Sequence, residues 1–219
     1  MTKTFWLSHI PLNPTRSNLD PHRVHQILCR SFAGPDHNDP EHRARHGLLW
    51  RYLPARETAI DVLVQSTSQP DWTRLQPADL RAQPADRAPK ENPAVLPGAA
   101  EGKQLRFTLL ASPQLAVAQP RNPDGPRPRG RERPILDETG RRTWLTRIAQ
   151  RSGFAVTGDN LIVENGPPLR SASKTKLAYQ VASYRGLLTV TDAHQFAAAR
   201  LAGFGPGKAY GLGLMLLAP

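Results

Sequence analysis

Hydrophobic and polar positions in the N-terminal part of the chain predict a strand, a helix and two further strands. Residues 4–10 are rich in β-forming side chains. Asp20 and Pro21 then mark a helix start, because aspartate caps free amides and proline at the first helical position loses no hydrogen bond. An apolar stripe at helical spacing leads to a stop at residues 34–35, and it consists of Val24, Ile27, Leu28 and Phe32. Strands are predicted at residues 46–53 and 58–67, and a short helix at 70–75.

A similar order returns after a proline-rich break. Residues 76–101 contain five prolines and few large apolar side chains, a composition typical of a linker or a long exposed loop. The elements predicted beyond it are a strand at 103–111, an irregular stretch at 114–134, a helix from Asp137 to about Ser152, a hairpin of 154–156 with 161–163, β-structure at 175–190, a helix capped by Asp192 and a last strand at 212–217.

This repeated order predicts the α+β class with two tandem ferredoxin-like, or RRM-like, domains. We place an N-terminal ferredoxin-like domain at residues 1–76, a Pro-rich linker at 77–102, and a C-terminal ferredoxin-like domain at 103–219 with an Arg-rich loop and a Gly-rich loop. The alternative is a single α+β domain with an accidental repeat.

Charge adds a class of partner to this picture. The 29 Lys and Arg residues exceed the 18 Asp and Glu residues, and the resulting charge of +11 favours binding to polyanions. Cys29 is the only cysteine, which excludes an intramolecular disulfide and a thiolate zinc cage. No signal peptide and no membrane-spanning apolar stretch are recognised, so we expect a cytoplasmic protein without a membrane partner.

Two histidines on the first predicted helix are candidates for proton transfer. His22 and His25 lie one helical turn apart, so their side chains are neighbours. Histidine exchanges protons near neutrality, and cleavage of RNA by its own 2′-OH needs only proton transfer and charge stabilisation. Exposed histidines without a function are the alternative. A metal site built from these two and Cys29 is disfavoured because zinc ligands usually show a tighter, recognisable spacing.

An arginine-rich region is the predicted RNA contact. Prolines and glycines keep residues 121–133 from being helical, and basic loops of this kind become ordered along phosphates. The loop residues are Arg121, Arg127, Arg129, Arg131 and Arg133, and the following helix extends the patch with Arg141, Arg142, Arg147 and Arg151. A solvated basic loop without a ligand is the alternative.

A glycine-rich segment lies near the C-terminus. Its candidate RNA-binding residues are Gly205, Gly207, Lys208 and Gly211, since glycines let backbone amides approach a phosphate closely. The segment follows a helix and precedes a strand, the reverse of a nucleotide-binding phosphate loop, so we expect no nucleotide cofactor. A tight turn is the alternative. Lys174 and Lys176, which enter a predicted strand, are candidates for stabilising a phosphorane.

These residues resemble a known family. Residues 203–219, GFGPGKAYGLGLMLLAP, are similar to the C-terminal motif G-x-G-x-x-K-x-x-G-x-G-L-L of the CasE family, the repeat-processing endoribonucleases of type I-E CRISPR systems, with Met215 in place of the second leucine. Residues 20–25, 105–113 and 181–190 match as well, and the resemblance runs over nearly the whole chain.

The resemblance implies two ferredoxin-like domains that bind CRISPR repeat RNA, both as the hairpin precursor and as mature crRNA. It also implies cleavage at the base of the hairpin without metal or cofactor, leaving a 2′,3′-cyclic phosphate and a 5′-OH. The enzyme is then expected to stay on its product and to join the other Cascade subunits. The family's catalytic histidine falls on His25, its partner tyrosine on His22, and its basic residue on Lys174 or Lys176. The alternatives are a non-catalytic subunit that binds the crRNA hairpin, a DNA-binding regulator and a metal-dependent nuclease.

Overall fold

Two antiparallel sheets, one from each half of the chain, form the framework of the protein. The computed structural model describes residues 4–13, 20–34, 41–53, 60–81, 89–94, 100–117, 131–166, 168–170 and 178–218. No helix in this described part is long and apolar enough to cross a membrane.

The first half follows the ferredoxin-like order. Its elements are β1 (Thr4–Leu12), α1 (Pro21–Cys29), α2 (His42–Arg45), β2 (Leu49–Tyr52), β3 (Ile60–Ser66), 3₁₀ turns at Trp72–Arg74 and Pro77–Asp79, and β4 (Lys90–Pro93). The strand order is β2-β3-β1-β4, and all neighbours are antiparallel. In the described residues between β3 and β4, short 3₁₀ turns stand where a ferredoxin-like domain has its second helix.

The second half repeats the arrangement. Its elements are β5 (Gln104–Ala111), β6 (Gln114–Val117), β7 (Arg131–Pro134), α3 (Glu138–Gln150), β8 (Phe154–Val156), a 3₁₀ turn at Gly158–Asn160, β9 (Ile162–Asn165), β10 (Leu169–Arg170), β11 (Ala178–Tyr179), β12 (Ala182–Val190), α4 (Ala193–Ala202), a 3₁₀ turn at Lys208–Tyr210 and β13 (Met215–Ala218). Its main sheet has the order β13-β5-β12-β8. The predicted class, α+β with two ferredoxin-like domains, is therefore confirmed.

Each half has its own hydrophobic core. In the first, α1 buries Val24, Ile27 and Leu28 against Ile10, Val62 and Val64 of the sheet. In the second, α3 and α4 cover the sheet through residues that include Leu145 and Phe196. The predicted caps are confirmed, because Asp20, Asp137 and Asp192 each accept a hydrogen bond from an amide in the first turn of their helix.

The predicted hairpin of residues 154–156 with 161–163 is wrong. Strands β8 and β9 do not pair with each other, because both pair with β12, at Leu188–Val190 and Ala182–Arg185 respectively. The 3₁₀ turn between them lies on β12 at Gly186, where an added Cβ would stand 2.4 Å from the Asn160 carbonyl oxygen. Glycine at position 186 thus lets one interrupted edge strand form instead of a hairpin.

Three other secondary-structure predictions are also corrected. Residues 90–93, inside the predicted linker, pair with β1 as the edge strand β4, although the domain limits themselves stay a prediction. The stretch predicted to be irregular contains the paired strands β6 and β7 at its two ends. The strand predicted from residue 46 begins at Leu49, after the short helix α2, which was not predicted.

Hydrogen bonds join the two halves. Trp50 Nε1 donates to the Ala209 carbonyl oxygen at 3.2 Å, and Gln65 Nε2 donates to that of Arg200 at 3.1 Å. Arg51 Nη1 donates to Thr108 Oγ1 at 3.2 Å. The first of these contacts holds the turn Lys208–Tyr210 of the second half beside β2 of the first half.

Candidate functional site

Helix α1 presents His25 at the border between the first core and the surface. The ring is more than half buried, and both of its nitrogens lie within 3.7 Å of Cys29 Sγ, one turn later. Burial lowers the pKa of His25 to about 4, and the nearby charges of Arg43, His22 and His42 act in the same direction. The imidazole is therefore neutral at pH 7, which is the form that accepts a proton.

Cys29 offers a poor metal ligand beside this histidine. Burial raises the pKa of its thiol to about 12, so the thiolate that binds metals is disfavoured. Among the residues that the structure describes, no three His, Cys, Asp or Glu side chains gather as metal ligands. Within the described residues, His22, His25 and Cys29 therefore do not form a group of metal ligands.

Two cations lie near helix α1: Arg43, whose charge acts on His25, and Lys208, in the turn that contacts α1. Arg43 on α2 donates to the Leu48 carbonyl oxygen at 3.2 Å, and its charge contributes to lowering the pKa of both His25 and Lys208. For Lys208, burial lowers the pKa more than the charge of Arg43 does. Lys208 is recognisable in the sequence as part of the glycine-rich motif, whereas Arg43 is not, because a single arginine in a four-residue helix carries no periodic signal. Its position becomes visible only when α2 packs against α1.

The glycine-rich segment is shaped by packing against aromatic rings. Gly207 and Gly211 have φ angles of +80° and +85°, a conformation that glycine adopts without strain. A Cβ on Gly211 would stand 3.0 Å from the Trp50 ring, and one on Gly205 would stand 3.0 Å from Trp144. A close structural turn therefore accounts for these glycines.

Tyr210 in this turn faces the first histidine. Its ring centroid lies 6.4 Å from that of His22 and 5.8 Å from that of Tyr179 on β11. Tyr210 was inside the motif singled out from the sequence but was not itself a candidate. Tertiary packing thus brings the aromatic pair Tyr179 and Tyr210 to the N-terminal end of α1.

A second, basic surface lies on the β6–β7 hairpin and on α3. Arg133 of the hairpin and Arg147 of the helix line one groove of about 590 Å³, together with Trp144 and Leu136. Arg142 and Arg147 also line the outer face of α3 among threonines. Arg131 and Arg151 are exposed near these elements. The charge of Glu132 contributes to raising the pKa of Tyr179, after burial and Tyr210, so β7 lies within electrostatic reach of the aromatic pair.

Comparison with known proteins identifies the family. Residues 5–219 match the family described as CRISPR associated protein. The chain is 30% identical to the CRISPR-associated endoribonuclease Cse3 of Thermus thermophilus, over 98% of this chain and 100% of that protein. This chain belongs to the CasE family of CRISPR-associated proteins.

Solved structures of CasE proteins share the fold. Thermus thermophilus Cse3 bound to an RNA that represents a pre-cleavage complex aligns with a TM-score of 0.77 and 28% identity, over 99% of this chain and 100% of that one. Cas6e from Escherichia coli K-12 aligns with a TM-score of 0.68 and 22% identity, over 98% and 99% of the two chains, and shows the same fold.

The structure sorts the candidate residues of this CasE protein. His22 and His25 lie on α1, which contacts the turn that contains Lys208. Arg131, Arg133, Arg142, Arg147 and Arg151 lie on the hairpin and helix surface. Five candidates lie outside the described residues: Arg121, Arg127, Arg129, Lys174 and Lys176.

Two candidates have structural surroundings that argue against contact with RNA. Arg141 is 5% exposed, and its guanidinium donates to the Ile135 carbonyl oxygen and to Asn165 Oδ1. Because both ends of the group are engaged inside the protein, we omit Arg141 from the proposed RNA-binding set. Gly211 is buried against the ring of Trp50, and we omit it because RNA cannot reach it there.

Proposed function

We propose that this CasE protein is an endoribonuclease that cleaves CRISPR precursor RNA at the repeat hairpin and remains bound to the mature crRNA as a Cascade subunit. The observation that carries the proposal is a neutral, half-buried His25 within reach of the charge of Arg43, which also acts on Lys208 in the turn that contacts α1. The similarity to an endoribonuclease over the whole chain supports it.

The proposed reaction uses the 2′-OH of the RNA as nucleophile. His25 accepts the proton of that hydroxyl, the 2′-oxygen attacks phosphorus, and the bond from phosphorus to the 5′-oxygen breaks. His22 supplies a proton to the leaving 5′-oxygen. Arg43 and Lys208 stabilise the charge of the phosphorane, together with Lys174 or Lys176. The products are a 2′,3′-cyclic phosphate and a 5′-OH, and no step requires a metal ion.

The arginine surface on the hairpin and α3 is the proposed site for the RNA stem. Its guanidinium groups are exposed at Arg131, Arg133, Arg147 and Arg151 and half-buried at Arg142. Arg147 and Arg151 are four residues apart near the end of α3, so they lie on the same side of the chain. Arg142 forms a surface ion pair with Glu138 at 2.8 Å, an interaction weak enough to be exchanged for a phosphate.

The decisive experiment compares wild type with His25→Ala on a labelled hairpin RNA in EDTA. Loss of a proton-transfer group is expected to lower single-turnover cleavage by about 10²–10⁴-fold, while gel-shift binding is retained. His194→Ala is the matched control, because His194 is an exposed histidine on α4. Cleavage by wild type that disappears in EDTA would contradict the metal-independent mechanism.

A second candidate function is hairpin binding without cleavage. It is favoured by His22, which stands where the resemblance implies a tyrosine. The His22→Tyr variant distinguishes the two: if His22 serves the reaction, both proteins cleave, and if it has abolished the reaction, only the variant does. An RNA with a 2′-deoxy substitution at the cut site is expected to bind without being cleaved by either protein.

A further inference from the structure

A pocket of about 290 Å³ lies beside the proposed catalytic helix. Residues from both halves line it, among them Pro21, Tyr52, Leu110, Arg170, Val181 and Tyr210. We call it the Tyr52–Tyr210 pocket. Its volume is just below the usual range for small-molecule sites, about 300–1,000 Å³, so it fits one heterocyclic ring better than a larger ligand.

The pocket is contiguous with the histidine pair. Pro21 is the first residue of α1 and immediately precedes His22, while Tyr210 contributes to the pocket and has its ring centroid 6.4 Å from that of His22. A nucleotide with its phosphate at the histidines therefore has its base within reach of the pocket.

The lining suits a nucleobase. Aromatic rings and apolar side chains make up most of the wall, and unstacked RNA bases bind proteins chiefly by stacking on such rings. Arg170, which is exposed at the end of β10, adds a cation that can face a phosphate. This combination of a flat aromatic surface and a neighbouring guanidinium is typical of single-stranded RNA recognition.

We propose that the Tyr52–Tyr210 pocket binds one unstacked nucleobase, that of a nucleotide next to the scissile phosphodiester. The base stacks on Tyr210, and Arg170 contacts the adjoining phosphate. This inference rests on the proposed ribonuclease function and deepens it, because it assigns the recognition of an unpaired base to residues outside the arginine surface.

The test combines RNA lacking a base with protein lacking the ring. Hairpin RNAs carry an abasic nucleotide on either side of the cut site, and cleavage is measured for wild type, Tyr210→Leu and Tyr210→Phe. For the wild-type protein, the cleavage rate is expected to be about tenfold or more lower with the abasic RNA than with intact RNA at one of the two positions. That loss should shrink below about threefold in Tyr210→Leu and persist in Tyr210→Phe, which keeps the ring. A purely structural role of Tyr210 would weaken all RNAs equally and leave the loss unchanged, which would overturn the proposal.

A second variant guards against misfolding of the first. Leu110→Phe fills the pocket from β5 and is expected to reduce cleavage of the intact RNA to the level of the abasic one. Equal loss of both RNAs would overturn the proposal.

Binding measurements keep the two proposals separable. The same abasic series with a 2′-deoxy cut site is measured by gel shift, and the base dependence of affinity must again disappear in Tyr210→Leu. If wild type binds but never cleaves, the ribonuclease proposal fails while this measurement still decides on the pocket. If wild type cleaves the RNA equally well with either abasic position, the nucleobase proposal for the pocket is overturned while the ribonuclease proposal stands.

Discussion

At the scale of single residues, burial decides the chemistry of His25. The ring of His25 is largely enclosed beside Cys29, and the charge of Arg43 acts on it. Desolvation disfavours the imidazolium, so the side chain remains a base under conditions where an exposed histidine is largely protonated.

The pKa of His25 predicts a pH-dependent stability. In the unfolded chain His25 has its ordinary pKa of 6.5, and in the folded protein about 4, so between these values the unfolded state binds more protons. Its contribution to the free energy of unfolding is complete above pH 6.5 and is lost as the pH falls to about 4, by up to about 3 kcal/mol. Denaturant unfolding from pH 4 to 7 measures this slope.

The control for this pH dependence is a histidine-free position 25. In His25→Gln the acid-side slope should be shallower by the contribution of one titrating group, while His194→Gln should leave it unchanged. Identical slopes in wild type and His25→Gln would contradict the assigned burial of the ring.

The packing of Gly211 predicts that adding a single methyl group at this position lowers the free energy of unfolding. Gly211 and Gly102 have nearly the same φ, +85° and +82°, but an added Cβ meets the Trp50 ring at 3.0 Å in the first and nothing within 4 Å in the second. Gly102→Ala is expected to cost about 1–2 kcal/mol from the left-handed backbone alone. Gly211→Ala adds overpacking and is expected to cost about 2–4 kcal/mol. Denaturant midpoints of the two variants measure the difference, and equal values would contradict the packing role.

At the scale of elements, a buried carboxylate ties α1 to the segment after β3. Asp79, in the turn Pro77–Asp79, has a side chain only 1% exposed, and it accepts from Arg30 at 3.1 Å and from Arg23 at 3.5 Å. Arg23 lies on the helix that carries His22 and His25, and Arg30 is the residue that ends this helix. The orientation of the proposed catalytic helix therefore depends on a residue in the Pro-rich region.

Removing that carboxylate should destabilise the first half. Asp79→Ala leaves two guanidinium groups without their buried partner, and we expect a loss of about 2–4 kcal/mol in the free energy of unfolding. Glu164→Gln is the control, since its ion pair with Arg185 is half exposed on both sides and is expected to contribute less than about 1 kcal/mol. Urea unfolding compares them, and similar losses would contradict the clamp.

At the scale of the whole molecule, the two halves divide the proposed work. The first half supplies the histidine helix, and the second supplies the arginine surface and the turn with Lys208 and Tyr210. Contacts such as that from Trp50 to Ala209 hold the two parts of the site together. With a net charge of +11, the molecule as a whole attracts RNA, and a smaller set of arginines is proposed to hold the stem.

The arginine surface predicts a change in salt dependence. If Arg147 contacts a phosphate, Arg147→Ala should weaken hairpin binding and lower the slope of log K against log salt by about 0.7–0.9, the value for one phosphate contact. Arg74→Ala, an exposed arginine on the turn Trp72–Arg74 of the first half, should leave the slope unchanged. Titration of labelled hairpin at several salt concentrations measures both, and equal slopes would contradict the assignment of Arg147.

Local physics made part of this architecture predictable from the amino-acid sequence. The caps Asp20, Asp137 and Asp192 and the main strands depend on neighbours a few residues away, so the sequence determined them. It also determined the repeated ferredoxin-like order, the polyanion-binding charge and the two histidines one turn apart. Domain limits and site roles stay predictions.

Only the tertiary structure decided the relations between distant residues. The joint pairing of β8 and β9 with β12, the clamp of Asp79 on α1, the burial of Arg141 and the approach of Arg43 to His25 all join residues that are not neighbours along the chain. Burial, electrostatic fields and cavities are properties of surfaces brought together by folding. The amino-acid sequence therefore predicts which reactive groups are present. It does not predict the environment that determines their protonation, exposure or ligand.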